Sequence, residues 1–101
     1  MDKTFGTLDE IKSAVYGSVW VTNGDPALVE DSDVIEDVAT DIWGATEYGA
    51  SPLREVVEAE EFEYAKTSLG LEKNVVRHIY KYSADYITSY IAFSADYDYC
   101  E

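Results

Sequence analysis

Apolar residues recur along the chain mostly three or four positions apart, the spacing of one helix face, and polar or glycine-containing stretches interrupt them. Leu8, Ile11, Val15 and Val19 form the first stripe, opened by Thr7-Leu8-Asp9-Glu10. This is a capping box: the Thr7 hydroxyl accepts from the Glu10 amide while the Glu10 carboxylate reaches back. Asn23-Gly24 ends the segment. In Val19-Trp20-Val21-Thr22 a helix running to Thr22 competes with a short strand beginning near Val19, and the helix is preferred. Asp25-Pro26 reads as an N-cap with proline at the first helical position, giving a short turn of helix through Val29.

Ser32 or Asp33 caps the next predicted helix, where Val34, Val38 and Ile42 align and Gly44 is the stop. A polar loop from Ala45 to Ala50 follows. Ser51-Pro52 opens another helix with Leu53, Val56, Val57 and Tyr64 inward, and Leu69-Gly70-Leu71 closes it as a glycine C-cap. From Glu72 to about Phe93 the pattern is strongest. Val76, Ile79, Tyr80, Ile87, Tyr90 and Ile91 share one broad face, widened by Tyr82, Tyr86, Phe93 and Tyr97. This predicts a long Tyr-rich C-terminal helix at the core, with Ile79, Ile87 and Ile91 buried and Tyr97 and Tyr99 exposed near its end. Ser83 as a second cap would split it in two, and a strand from Tyr86 to Phe93 is the competing reading. Ser83-Ala84-Asp85-Tyr86 recurs as Ser94-Ala95-Asp96-Tyr97, but two short copies do not make a repeat protein. The expected fold is a single all-α domain over residues 1–101, with four to six helices and Gly24, Gly44 and Gly70 at or just beyond helix ends.

Composition adds charge to this picture. An apolar fraction of 47% in 101 residues suffices for an ordinary core, yet 21 acids face 7 bases for a net charge of -14. Such a charge repels DNA, RNA and anionic membranes as direct ligands and favours a basic protein partner. Cys100 is the only cysteine, so no intrachain disulfide forms. Neither a signal-peptide core nor a membrane-length apolar run is present, and a cytoplasmic location is expected.

Motifs for chemistry are missing. The chain has no Gly-rich phosphate loop, no nucleophile elbow and no paired Cys or His for zinc. His78 is the only histidine, and Cys100 has acidic neighbours that disfavour a thiolate. Asp31-Ser32-Asp33 opens like a calcium loop, but the required glycine and bidentate acid fall on Glu36 and Ile42. No enzyme activity, cofactor or metal site is expected.

The charge is concentrated. Between Asp25 and Glu63, 13 acids meet one base, Arg54, a net of -12 over 39 residues, while the other 62 residues carry 8 acids and 6 bases. Asp33, Asp37 and Asp41 repeat every four residues, with Glu30, Asp31 and Glu36 beside them. Glu55, Glu58 and Glu61 repeat every three, with Glu60 and Glu63 adjacent. On helices, each row places an anion about every 5.4 Å. Two such rows side by side approach the charge spacing of a nucleic-acid strand, about 3.4 Å. The competing explanation is a solvated acidic face without a partner. The ten residues Glu30, Asp31, Asp33, Glu36, Asp37, Asp41, Glu55, Glu58, Glu60 and Glu61 are the expected partner-binding set.

In size, expected helicity, acid rows and Tyr-rich C-terminal segment, the chain resembles the small acidic DNA-mimic inhibitors that phages direct against restriction and CRISPR enzymes. The resemblance is one of type and carries no shared motif. It implies an inhibitor that occupies the basic channel of a nucleic-acid-binding enzyme. Two other classes fit the same residues. One is an immunity protein or antitoxin neutralising a single basic nuclease toxin. The other is an assembly subunit, such as a homodimer, whose acids are incidental.

Overall fold

The computed structural model describes residues 2–98. The chain runs β1 (Asp2–Lys3), α1 (Leu8–Val15), β2 (Val19–Val21), β3 (Ala27–Leu28), α2 (Ser32–Ala45), β4 (Leu53–Glu55), α3 (Ala59–Ser68), β5 (Tyr80–Ala84) and β6 (Ile87–Ala92), then a 3₁₀ turn at Ser94–Asp96. The six strands form one antiparallel sheet in the order β1-β4-β5-β6-β2-β3. The fold is α/β, which overturns the all-α expectation and its four to six helices.

The long Tyr-rich C-terminal helix is replaced by a hairpin. β5 alternates buried Tyr80 and Tyr82 with exposed Lys81 and Ser83, the period of two that a strand requires. β6 pairs with it from Tyr80↔Ile91 to Ala84↔Ile87. The connection is Asp85-Tyr86, with φ of 52° and 66°, the type I′ geometry whose twist suits a two-residue hairpin. Tyr80 and Ile91 show why the pattern misled. Their separation is about three helical turns, so on a helix they share a face; in the hairpin they lie directly opposite each other. Ile87, expected in the core, is 50% exposed next to the turn.

Three other predicted helical segments are strands. Val19–Val21 pairs with both β3 and β6, so the competing strand reading is the one that holds there. The turn of helix expected from Asp25 to Val29 is instead the return strand of that hairpin. Leu53–Glu55 lies between β1 and β5, and the helix expected from Ser51 begins only at Ala59. Gly24 accordingly sits in a strand connection and Gly44 inside the last turn of α2.

Of the local signals, the caps read at Asp25, at Ser51 and at Ser32 or Asp33 did not hold, the last giving way to Asp31, while two others did. The Thr7 hydroxyl accepts from the Glu10 amide at 3.2 Å, and the Glu10 carboxylate accepts from the Gly6 amide at 3.0 Å. At the end of α3, the Leu71 amide donates to the Lys66 carbonyl and the Gly70 amide to the Thr67 carbonyl. Gly70 has a φ of 71°, which completes the glycine-closed C-cap. The end of α2 repeats these bonds, Tyr48 to Trp43 and Glu47 to Gly44, but with Glu47 in the left-handed position. Tyr48 and Gly49 continue the left-handed run. Only glycine fits at position 49, because a Cβ there would lie 2.9 Å from the Phe5 carbonyl oxygen.

The sheet separates two cores. On one face, Ile11 and Val15 of α1 and Val38, Ala39 and Ile42 of α2 pack on Tyr80, Tyr82, Ile91 and Phe93. On the other, Ala65 and Leu69 at the end of α3 pack on Val21, Val56, Ile79 and Ala92. Tyr97, expected to be exposed, is 3% exposed and belongs to the second core. Its hydroxyl donates to the Gly17 carbonyl at 2.9 Å, tying the chain end to the α1–β2 junction. Tyr99 and Cys100 lie outside the described residues.

Candidate protein-binding surface

α2 forms because an apolar stripe, Val34, Val38, Ala39 and Ile42, faces the sheet and α1. The same periodicity turns Asp33, Glu36 and Asp37 fully outward and leaves Asp41 half-buried. Glu30 and Asp31 are exposed just before the helix, with Asp31 at its N-cap. Six of the ten expected residues therefore belong to one helix and its entry. The helix contains no basic residue, and among the described residues no cation lies within ion-pair distance of these acids.

The second row is not a helix face and does not adjoin the first. Glu55 ends strand β4, Glu58 is the N-cap of α3, and Glu60 and Glu61 lie in its first turn. α3 belongs to the opposite face of the sheet from α2. The ten residues thus divide into two groups with the sheet between them.

Physical chemistry separates these groups further. Acids at a helix N-terminus are stabilised by the helix dipole by about 0.3–1 kcal/mol each. This accounts for Asp31 and Asp33 on α2 and for Glu58, Glu60 and Glu61 on α3. Glu61 is also held by Lys81 at 3.0 Å and lies 3.5 Å from the Tyr90 hydroxyl. Burial, and after it the Glu61 charge, raises the pKa of Tyr90. Glu55 lies 3.7 Å from His78 Nδ1. Glu36, Asp37 and Asp41 have no such support. They lie beyond the first turn, and Asp37 has Asp33 and Asp41 one turn to either side, an arrangement that costs a few tenths of a kcal/mol per like-charged pair.

The fold adds residues that the charge pattern did not reveal. Asp85, at the tip of the β5–β6 hairpin, meets Asp41 across a cleft of about 330 Å³ lined also by Thr40, Gly44 and Ser83. A neighbouring cleft of about 200 Å³ joins Asp41 and Asp85 to Trp20, Thr22, Ile87 and Ser89. A third, about 410 Å³, carries Trp20 along α2 to Val34, Glu36 and Asp37. Burial, then the charge of Asp85, then that of Asp37 raise the Asp41 carboxyl above its ordinary 3.8. Tyr86, next to Asp85, is fully exposed.

Trp20, which lines the second and third of these clefts, and Tyr82, which lines a different one with Arg54 and Lys81, each carry a buried polar atom without a hydrogen-bond partner among the described residues, the indole nitrogen and the hydroxyl. Tyr82 is 4% exposed. Burial and the Asp41 charge push its pKa up, and nearby Ser89 opposes the shift without completing a hydrogen bond of good geometry. The Ser89 hydroxyl is instead 2.7 Å from that of Thr22. The sequence held one usable signal for this site: Asp85-Tyr86 lies between two Tyr- and Ile-rich segments, as a hairpin turn does.

No group of three or more His, Cys, Asp or Glu that could hold a metal occurs among the described residues. No helix among them is long and apolar enough to cross a membrane. Comparison with protein-family models, curated proteins and solved structures yields no match for this chain.

Proposed function

We propose that this protein is a non-enzymatic inhibitor that binds the basic, nucleic-acid-binding surface of an enzyme, with α2 and the hairpin tip as the docking element. The carrying observation is Glu36, Asp37 and Asp41: three acids on α2 that gain nothing from a helix dipole or an ion pair, and whose mutual repulsion the fold bears. A basic channel built to attract phosphate supplies the missing countercharge. The resemblance to phage-encoded anti-restriction and anti-CRISPR DNA mimics then rests on a single acidic helix plus Asp85, because the α3 row lies on the other face of the sheet.

The test is capture of partners from host-cell extract by the wild-type protein and by a Glu36→Gln/Asp37→Asn/Asp41→Asn variant. Basic nucleic-acid-binding enzymes are expected on the wild type only, released by added DNA or RNA and by rising salt. Equal capture by both proteins would assign α2 to solvent. A second reading, an immunity protein for one basic nuclease toxin, is favoured by Tyr86, an exposed aromatic beside an acid at the hairpin tip. It predicts one partner only, inhibited with no competition by nucleic acid at other enzymes.

A further inference from the structure

We infer that the free edge of β3 pairs with an extended basic segment of the partner, which joins the sheet as a further strand beside Ala27–Leu28. This rests on the proposed protein-binding role and names the form and chemistry of the segment bound. β3 ends the sheet, and among the described residues no strand lies beyond it. The Val29 amide donates to the Ser18 carbonyl at 2.8 Å, and bonded and non-bonded pairs alternate along an antiparallel ladder. Ala27 therefore bonds inward to Trp20, its register partner, while the Leu28 N–H and C=O point away from β2, out of the sheet edge. Neither group bonds to a loop or another element among the described residues. The Leu28 side chain is 41% exposed.

The opposite edge of the sheet is protected against such pairing. β1 consists of Asp2 and Lys3; Asp2 is ion-paired with Arg54, and Lys3 lies over the Phe93 ring. Charged side chains are a common guard of an edge against added strands. β3 carries none, since both of its residues are apolar and exposed. Charge stands at its two ends instead: Asp25 before it, Glu30 and Asp31 after it, all exposed, with no Lys or Arg between Lys12 and Arg54. These acids repel a second copy of a chain whose net charge is -14 and attract a cationic segment. The two faces of the sheet set the segment's pattern. A residue opposite Leu28 projects to the α3 side, with Leu28 and Val19. Its neighbours project to the side of Ala27 and Trp20, where Trp20 lines a cleft with Glu36 and Asp37 of α2. Alternating apolar and basic residues fit that arrangement.

The test titrates the intact ¹⁵N-labelled protein with the end-capped peptide Arg-Val-Arg-Val-Arg. Two control peptides are the same sequence N-methylated at both valines, which removes the pairing N–H groups, and Glu-Val-Glu-Val-Glu. The arginine peptide is expected to slow hydrogen exchange at the Leu28 amide and to shift the amides of Ala27 to Glu30 saturably. N-methylation is expected to weaken binding about tenfold, the worth of one or two backbone hydrogen bonds, and the glutamate peptide should not bind. Leu28→Lys, which places a cation on the edge, is expected to abolish the response while the spectrum elsewhere is unchanged. Equal binding by the methylated peptide, or shifts confined to α2, overturns the strand pairing. So does protection of the Leu28 amide that rises with protein concentration in the absence of peptide, which assigns the edge to a second copy. The two proposals fail separately. If the extract yields a basic nucleic-acid-binding enzyme whose capture ignores Leu28→Lys, the edge site falls and the acidic docking helix stands. If the arginine peptide pairs with β3 as expected and no nucleic-acid-binding partner is captured, the edge site stands and the inhibitor function falls.

Discussion

The Lys81 ammonium lies 3.0 Å from each carboxylate oxygen of Glu61, joining the sheet to α3. This pair gives one acid of the central block a countercharge from within the chain. The two side chains are 44% and 31% exposed, so Glu61→Gln is expected to cost about 0.5–2 kcal/mol, the loss of the ion pair together with the helix-dipole contribution. Urea denaturation checks that figure, and partner capture should be unchanged. A large loss of capture would return the α3 acids to the binding surface.

Asp33 and Asp37 are both exposed acids on α2, yet opposite signs are expected for their neutralisation. Asp33 lies in the first turn, and Asp33→Asn forfeits a dipole contribution of about 0.3–1 kcal/mol, which the relieved repulsion with Asp37, about 0.2–0.5 kcal/mol, offsets in part. Asp37 lies between two acids at four-residue spacing, and Asp37→Asn relieves about 0.2–0.5 kcal/mol per pair. Thermal unfolding of the two variants at low salt should place one below and one above the wild type. Both differences should shrink in high salt.

Asp41 gives a pH signature. Its native pKa is raised, first by burial and then by Asp85 and Asp37, so the folded chain takes up this proton while the unfolded chain is still ionised. The ionised carboxyl destabilises the fold at neutral pH. That penalty fades as pH falls through the native pKa and is gone below the ordinary 3.8. Asp41→Asn is therefore expected to be more stable than wild type at pH 7, with the advantage shrinking as pH drops toward 3.8. Urea titrations across this range measure it, and a pH-independent difference would refute the assignment.

Tyr86 separates stability from binding. It is fully exposed and has a φ of 66°, so its side chain contributes strain and no packing. Tyr86→Gly removes the left-handed penalty and should stabilise the fold by up to about 1–2 kcal/mol. If Tyr86 is an interface anchor, the same change weakens the partner complex by about 2 kcal/mol or more. A gain in stability with unchanged affinity would place the partner elsewhere.

The isoleucines distinguish the hairpin from a helix. Ile79 and Ile91 are 0% exposed and lie in different cores, so each Ile→Ala variant should lose about 2–5 kcal/mol. Ile87, 50% exposed, should lose only a few tenths to about 1 kcal/mol on the same change. On a single helix face all three would have been comparably costly. Denaturation midpoints of the three variants decide between the two.

What could be read directly was local. The Thr7 cap, the Gly70 C-cap and the existence of α1, α2 and α3 depend on residues within about four positions of one another, where hydrogen-bonding chemistry and spacing act on their own. The concentration of acids between Asp25 and Glu63 is a property of composition and needs no fold at all.

The rest depended on partners distant in the chain. Tyr80–Ala92 satisfies a helical stripe and a strand pair alike, and what selects the strands is the neighbouring β4 and β2, with Arg54 opposite Lys81 and Trp20 opposite Ile91. β-propensity mostly reflects such neighbours and is weak without them. The acid rows were equally ambiguous. Only the tertiary structure sets Glu61 against Lys81, puts the sheet between α3 and α2, and brings Asp85 from the far hairpin to Asp41. Charge acts through space, and its strength depends on what lies within a few ångströms, so a count along the chain establishes how many carboxylates exist but not which of them remain unpaired.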